Sequence, residues 1–165
     1  MTRMQTFAIA SIAAASVTLC VDFAIAQSAK ELVGTWQLVS NVIDQGGKKI
    51  DQFGPNPHGI LSFESSGRYA LVIVRDSLPK FVSNGRANGT PEENKAVVQG
   101  SIAHFGIYSV RDNSIVFNVQ YSTFPNWDGG VQQRPFTLKG DEMSFFVAAA
   151  SLGGGSSQVA WKRLK

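Results

Sequence analysis

Turn-forming triplets cut the chain from Gly34 to Leu164 into short segments. Gln45-Gly46-Gly47, Ser65-Ser66-Gly67, Arg111-Asp112-Asn113 and Lys139-Gly140-Asp141 each separate two runs rich in β-branched and aromatic residues. Runs of that length and composition, bounded by such turns, read as antiparallel strands joined by hairpins. The strands expected are 34–43, 48–52, 59–64, 68–75, 103–110, 114–121, 131–138, 142–149 and 158–164. Most are consecutive. That order predicts an all-β fold, a small up-and-down barrel of about eight antiparallel strands, because closure removes the exposed edges that aggregate. Phe53 to Pro57 is excluded from any strand interior, since its two prolines lack the ladder donor.

One short helix interrupts the strands. Thr90 suits an N-cap, Pro91 the first helical position, and Glu93 completes a Thr-x-x-Glu capping box, so a helix runs from 91 to about 101. Glu92 and Glu93 then favour the positive end of its dipole rather than forming a catalytic carboxylate pair. The preceding stretch, Asp76 to Thr90, is long for a connection and reads as a lid over a binding site.

The first 26 residues read as a secretory signal. Arg3 supplies the positive start, residues 7–21 are uncharged, and Ala24-Ile25-Ala26 fits a small-x-small cleavage site. Fifteen such residues are short for a membrane span of about 20. A retained anchor and a lipoprotein attached at Cys20 are the alternatives, though Leu19 stands where a lipoprotein carries a small residue. Cleavage removes the only cysteine, so the domain at 27–165 can form no disulfide, Cys nucleophile or Cys metal site. A periplasmic or secreted protein with no membrane span after cleavage is expected.

Composition narrows the function classes. Apolar residues are 44% and charged residues 16%, and the net charge is only +3. A core can form, and the basic residues are too scattered for a nucleic-acid partner. No Gly-x-Ser-x-Gly elbow is present, and Gly153-Gly154-Gly155 lacks the lysine of a phosphate loop. His58 and His104 lie far apart with no ligand spacing around them, so neither a metal nor a cofactor is expected.

Strand alternation selects the residues that face a barrel interior. In 34–43, Trp36, Leu38, Ser40 and Val42 share one face. In 114–121 the apolar face is Ile115, Phe117, Val119 and Tyr121. In 131–138, Phe136 and Leu138 share a face with Arg134. An inward arginine needs a partner or a wet cavity. Arg134 therefore either anchors a ligand carboxylate or carbonyl, or closes a salt bridge with an Asp or Glu. Parity does not orient 68–75, where Tyr69, Leu71, Ile73 and Arg75 share one face. Nor does it orient 103–110, where His104, Gly106 and Tyr108 oppose Phe105 and Ile107. The candidate ligand-binding residues are Tyr69, Arg75, His104, Tyr108, Phe117, Tyr121, Trp127, Arg134 and Phe136.

Several motifs together resemble the lipocalin-like domain family of bacteria and fungi. They are Gly34-Thr35-Trp36, Phe53-Gly54-Pro55-Asn56-Pro57 with Gly59, Gly67-Arg68 and Thr90-Pro91-Glu92-Glu93. Phe105-Gly106-x-Tyr108, Phe124-Pro125-Asn126-Trp127 with Gly129, Arg134 and Trp161-Lys162-Arg163 complete the set. The resemblance covers about residues 32–164. It implies a lipocalin-like barrel with one open end, in which Trp36 and Arg163 are structural, the arginine packed over the tryptophan. Family members often carry histidine on the strand before the Phe-Pro-Asn-Trp corner, where this chain has Phe117 and Asn118.

The function expected is binding of a small hydrophobic or amphipathic molecule inside the barrel. The alternatives are a cofactor-free isomerase or cyclase, with His104 or Tyr108 as acid or base and Arg134 stabilising developing charge, and a packed structural barrel with a protein partner. The sequence does not set an oligomeric state.

Overall fold

The computed structural model describes residues 29–165; the signal reading for 1–26 lies outside them. A single turn of helix, α1 (Ala29–Leu32), leads into β1 (Gly34–Gln45). Then come β2 (Lys48–Asp51), β3 (His58–Phe63), β4 (Arg68–Val74), α2 (Pro91–Gly100), β5 (Ser101–Arg111), β6 (Ser114–Ser122), β7 (Val131–Lys139), β8 (Glu142–Val147) and β9 (Ser156–Arg163). Pairing runs antiparallel in chain order from β3 to β9, and β1 closes the circle by pairing with both β3 and β9. The result is a closed eight-stranded barrel. The short β2 is an extra strand, folded back by Gly46-Gly47 onto the second half of β1.

One end is plugged. Trp36 is fully buried and its indole N–H donates to the Leu32 carbonyl at 2.8 Å. The Arg163 guanidinium lies 4.1 Å from the centre of the Trp36 ring and donates to the carbonyls of Val33 and Glu31. A cation–π contact of this kind contributes about 0.5–2 kcal/mol. The same arginine supplies donors to carbonyls at and just after α1. The arginine lies over the tryptophan, the packing that the resemblance implies.

The capping box of α2 forms as expected. Glu93 N–H donates to the Thr90 hydroxyl, and the Glu93 carboxylate accepts from Thr90 N–H. Its second oxygen accepts from Val82 N–H at 2.8 Å, so Glu93 also ties the 76–90 loop to the helix.

Two bulges alter the expected inward faces. In β1 the register with β9 shifts between Leu38 and Ser40. Val39 is left outside, and Asn41 and Ile43 take the inward positions expected for Ser40 and Val42. In β6 the register shifts so that Phe105 faces Tyr121 while Gly106 faces Val119, leaving Gln120 unpaired. An extra residue reverses the alternation beyond it. Tyr121 is consequently 64% exposed and meets Phe105 on the outer wall, its ring 5.9 Å away. The expected inward Tyr121 is thus corrected. On the two undecided strands, Tyr69, Leu71 and Ile73 of β4 and His104, Gly106 and Tyr108 of β5 point inward, and Phe105 and Ile107 outward.

The β6 bulge requires Gly106. A Cβ there would collide with the Asn118 carbonyl oxygen and lie 2.9 Å from the Gln120 nitrogen. Gly106→Ala is expected to destabilise the barrel by about 1–3 kcal/mol, as overpacking does. Urea denaturation measures this; an unchanged midpoint would mean the bulge does not depend on the glycine.

Candidate functional site

The inward residues of β4, β5, β6 and β7 build one side of the interior. Leu71 and His104 are register partners, as are Tyr69 and Gly106. The glycine leaves room beside the tyrosine, whose hydroxyl lies diagonally across, 2.9 Å from His104 Nδ1. Phe117 packs edge-on against Tyr69, with ring centres 4.6 Å apart. Trp127 stands perpendicular to His104 at 5.6 Å.

Trp127 is positioned by its corner. Pro125–Trp127 forms one 3-10 turn between β6 and β7. The Asp128 carboxylate accepts from Ser122 N–H at 2.7 Å, and Gly129 and Gly130 bond back to Val119. These contacts bring the corner to the same side of the barrel as His104.

Arg134 projects from β7 into this group. Its Nη2 donates to Gln132 Oε1 at 2.8 Å. Among the described residues the ion pairs are His58–Asp76, Asp141–Arg163 and Asp141–Lys165, so no carboxylate neutralises Arg134. The salt-bridge alternative is therefore not realised. Burial and then the Arg134 charge lower the His104 pKa from 6.5 to about 4. Burial raises the Tyr69 pKa, against the pull of the Arg134 cation, and burial lowers that of Arg134 itself. At neutral pH the group is one cation, one neutral imidazole and one neutral phenol.

His104, Phe117, Trp127, Gln132 and Arg134 border a cavity of about 310 Å³, and Tyr69, outside its lining, reaches it through His104. Phe53, Leu71, Ile73, Phe117, Phe145 and Val159 supply much of its apolar wall, and His104, Gln132 and Arg134 part of its polar wall. Val97 and Val98 of α2, Phe124 and Trp127 of the corner, and Leu152 also line it. No residue of 76–90 does, so the expected lid is corrected: that loop braces α2 through Glu93, and α2 borders the cavity. The interior is not filled, which counts against a fully packed barrel.

Of the candidate residues, the fold brings together Tyr69, His104, Phe117, Trp127 and Arg134. It separates four others. Arg75 lies just beyond β4 and turns toward the Gln52 carbonyl, 3.5 Å away, outside the lining. Tyr108 packs on Phe63 and donates to the Glu64 carbonyl at 3.1 Å. Phe136 is buried in the core without lining the cavity. Tyr121 is on the outer wall. Parity assigned these residues to the inner face or left them undecided, and it carries no information on depth along the barrel.

Sequence reasoning also missed a polar pair in the lining. Ser157 donates to Asn41 Oδ1 at 2.6 Å, and both residues are buried. Asn41 reaches the interior only through the bulge at Val39. The signal was the switch of the apolar pattern from Trp36 and Leu38 to Ile43. Gln132, two residues before Arg134, was legible from spacing alone.

With this barrel and cavity in view, the sequence matches the lipocalin-like domain family over residues 33–164. The chain belongs to that family. In this lipocalin-like chain Phe117 points inward, and His104 on the neighbouring strand stands with its ring 6.0 Å away. The chain is also similar to a 4'-hydroxy-3'-methoxypropiophenone carrier protein of Aspergillus oryzae. The two are 26% identical over 103 residues, which cover 56% of this chain and 93% of that protein. A lipocalin-like barrel and a relative named as a carrier both point to small-molecule binding. Among the described residues, no group of three His, Cys, Asp or Glu comes together, and no helix is long and apolar enough to cross a membrane.

The depressed His104 pKa has a consequence for stability. Between pH 6.5 and about 4 the unfolded chain holds a proton on this histidine that the folded barrel does not. Its contribution is complete above pH 6.5 and is lost as pH falls toward 4. His104→Gln is expected to flatten that part of the stability profile, by at most a few kcal/mol. Denaturant titrations of both proteins across this range test it; parallel profiles would place the histidine near its ordinary pKa.

Proposed function

We propose that this protein is a carrier that binds a small hydrophobic or amphipathic organic molecule inside its barrel, in the periplasm or outside the cell. The carrying observation is the cavity of about 310 Å³, largely apolar but holding the unneutralised Arg134. That size falls at the lower end of small-molecule sites, and a few polar groups in an apolar wall suit ligand orientation. Burying about 200 Å² of apolar ligand surface contributes about 5 kcal/mol before ordering costs. Arg134 and Tyr69, through His104, set the ligand's direction. The relative's name describes an aromatic ketone carrier, and a one-ring aromatic compound is the same kind of cargo.

The Tyr69–His104 hydrogen bond gives the catalytic reading its best footing. A base with a pKa near 4 is, however, poorly matched to proton abstraction at neutral pH. Binding is the reading the site supports better. The N-terminal pattern of Arg3, an uncharged 7–21 stretch and Ala24-Ile25-Ala26 supports export.

Native mass spectrometry of protein taken from the periplasm tests both parts. The expected result is a chain beginning at Gln27 with one reproducible small molecule, released by denaturing extraction and lost in Trp127→Ala. A ligand-free mass that stays unchanged when the relative's aromatic ketone is added would overturn the carrier reading. A chain retained uncleaved in the cytoplasm would overturn export.

A further inference from the structure

We infer that the cavity selects an aromatic monocarboxylate, with the carboxylate on the Arg134 guanidinium and the ring among Phe117, Phe124 and Trp127. The inference rests on the carrier reading and narrows it to a charge class.

Three observations lead to it. First, among the described residues no aspartate or glutamate lines the cavity, and Arg134 is its only lysine or arginine. A guanidinium has five N–H donors, and the protein matches one of Arg134's, through Gln132. A partly desolvated, unmatched cation leaves the empty cavity electrostatically incomplete. A ligand carboxylate completes it and fits the planar donor fork in a way a single carbonyl oxygen does not.

Second, His104 is poised as a further donor. Its Nδ1 faces the Tyr69 hydroxyl, the residue lines the cavity, and among the described residues Nε2 has no hydrogen-bond partner. The Arg134 cation favours the tyrosine oxygen directing its lone pairs toward the guanidinium and its proton toward Nδ1. In that tautomer Nε2 carries the hydrogen and donates to an oxygen in the cavity.

Third, the surrounding shape is aromatic. Trp127 stands perpendicular to both His104 and Phe124, with ring centres 5.6 and 5.5 Å away. Such edges and faces suit a flat ring better than a flexible chain. Asn41 and Ser157, on β1 and β9 across the barrel, are polar but uncharged. They suit a hydroxyl or carbonyl at the far end of the ligand, and offer no counter-charge to a second carboxylate.

Calorimetric titration with matched pairs tests the inference. 2-Naphthoate is compared with 2-naphthamide, and cinnamate with cinnamamide. Each pair keeps ring and plane and differs in charge, and the two pairs differ in size. The acid of at least one pair is expected to bind ten-fold or more tightly than its amide. Arg134→Gln should remove the difference, and Arg134→Lys should keep part of it. The wild-type comparison decides the matter even if Arg134→Gln fails to fold. Equal binding of acid and amide would overturn the charge inference and leave the carrier reading standing. Absence of binding by all four compounds would overturn the charge inference; the carrier reading would then stand or fall on the native mass measurement.

Discussion

Strand β1 pairs along both edges. β9 takes one side from Trp36 to Asp44, while β3 and then β2 share the other. Without the β1–β9 ladder the molecule would be an open twisted sheet with two unpaired edges and a half-exposed apolar face. With it, the inner faces of eight strands meet and enclose the core that Trp36, Leu61, Phe117 and Trp161 fill. The Trp36 plug under Arg163 belongs to the same closure, because the tryptophan comes from β1 and the arginine from β9. One end is thereby filled by side chains and the cavity is left toward the other.

That asymmetry is what allows an unneutralised arginine inside. At the plugged end Arg163 has Asp141, two backbone carbonyls and an indole face. At the other end Arg134 has one glutamine oxygen and the edge of a cavity. Two arginines toward opposite ends of one barrel thus meet different surroundings. One is consumed by the protein's own acceptors and stabilises the fold. The other has one protein acceptor among the described residues and, after burial, adds to the lowering of the His104 pKa.

Much of the fold was legible because it depends on local signals. Turn triplets located the hairpins, the capping box located α2, and the Gly-x-Trp and Trp-Lys-Arg segments marked the two strands that close the barrel. The site was partly legible. His104, Phe117, Trp127 and Arg134 could be named as candidates, yet Tyr108, Phe136 and Arg75 looked equally suitable. Period-two alternation distinguishes inside from outside and says nothing of height along the axis. Tyr121 failed for another reason. A bulge adds one residue without leaving a turn residue at its own position, and the glycine that permits it, Gly106, sits on the opposite strand.

The sequence by itself determined the all-β class, the strand order, the single capped helix and the inward arginine, since each follows from interactions within a few residues or from the cost of an edge or a charge. Only the tertiary structure decided which inward residues meet, that Arg134 has no acid beside it, and that Asn41 and Ser157 join the cavity wall. Those outcomes depend on bulges and on the stagger of eight strands around a closed barrel, which couple residues far apart in the chain through geometry alone.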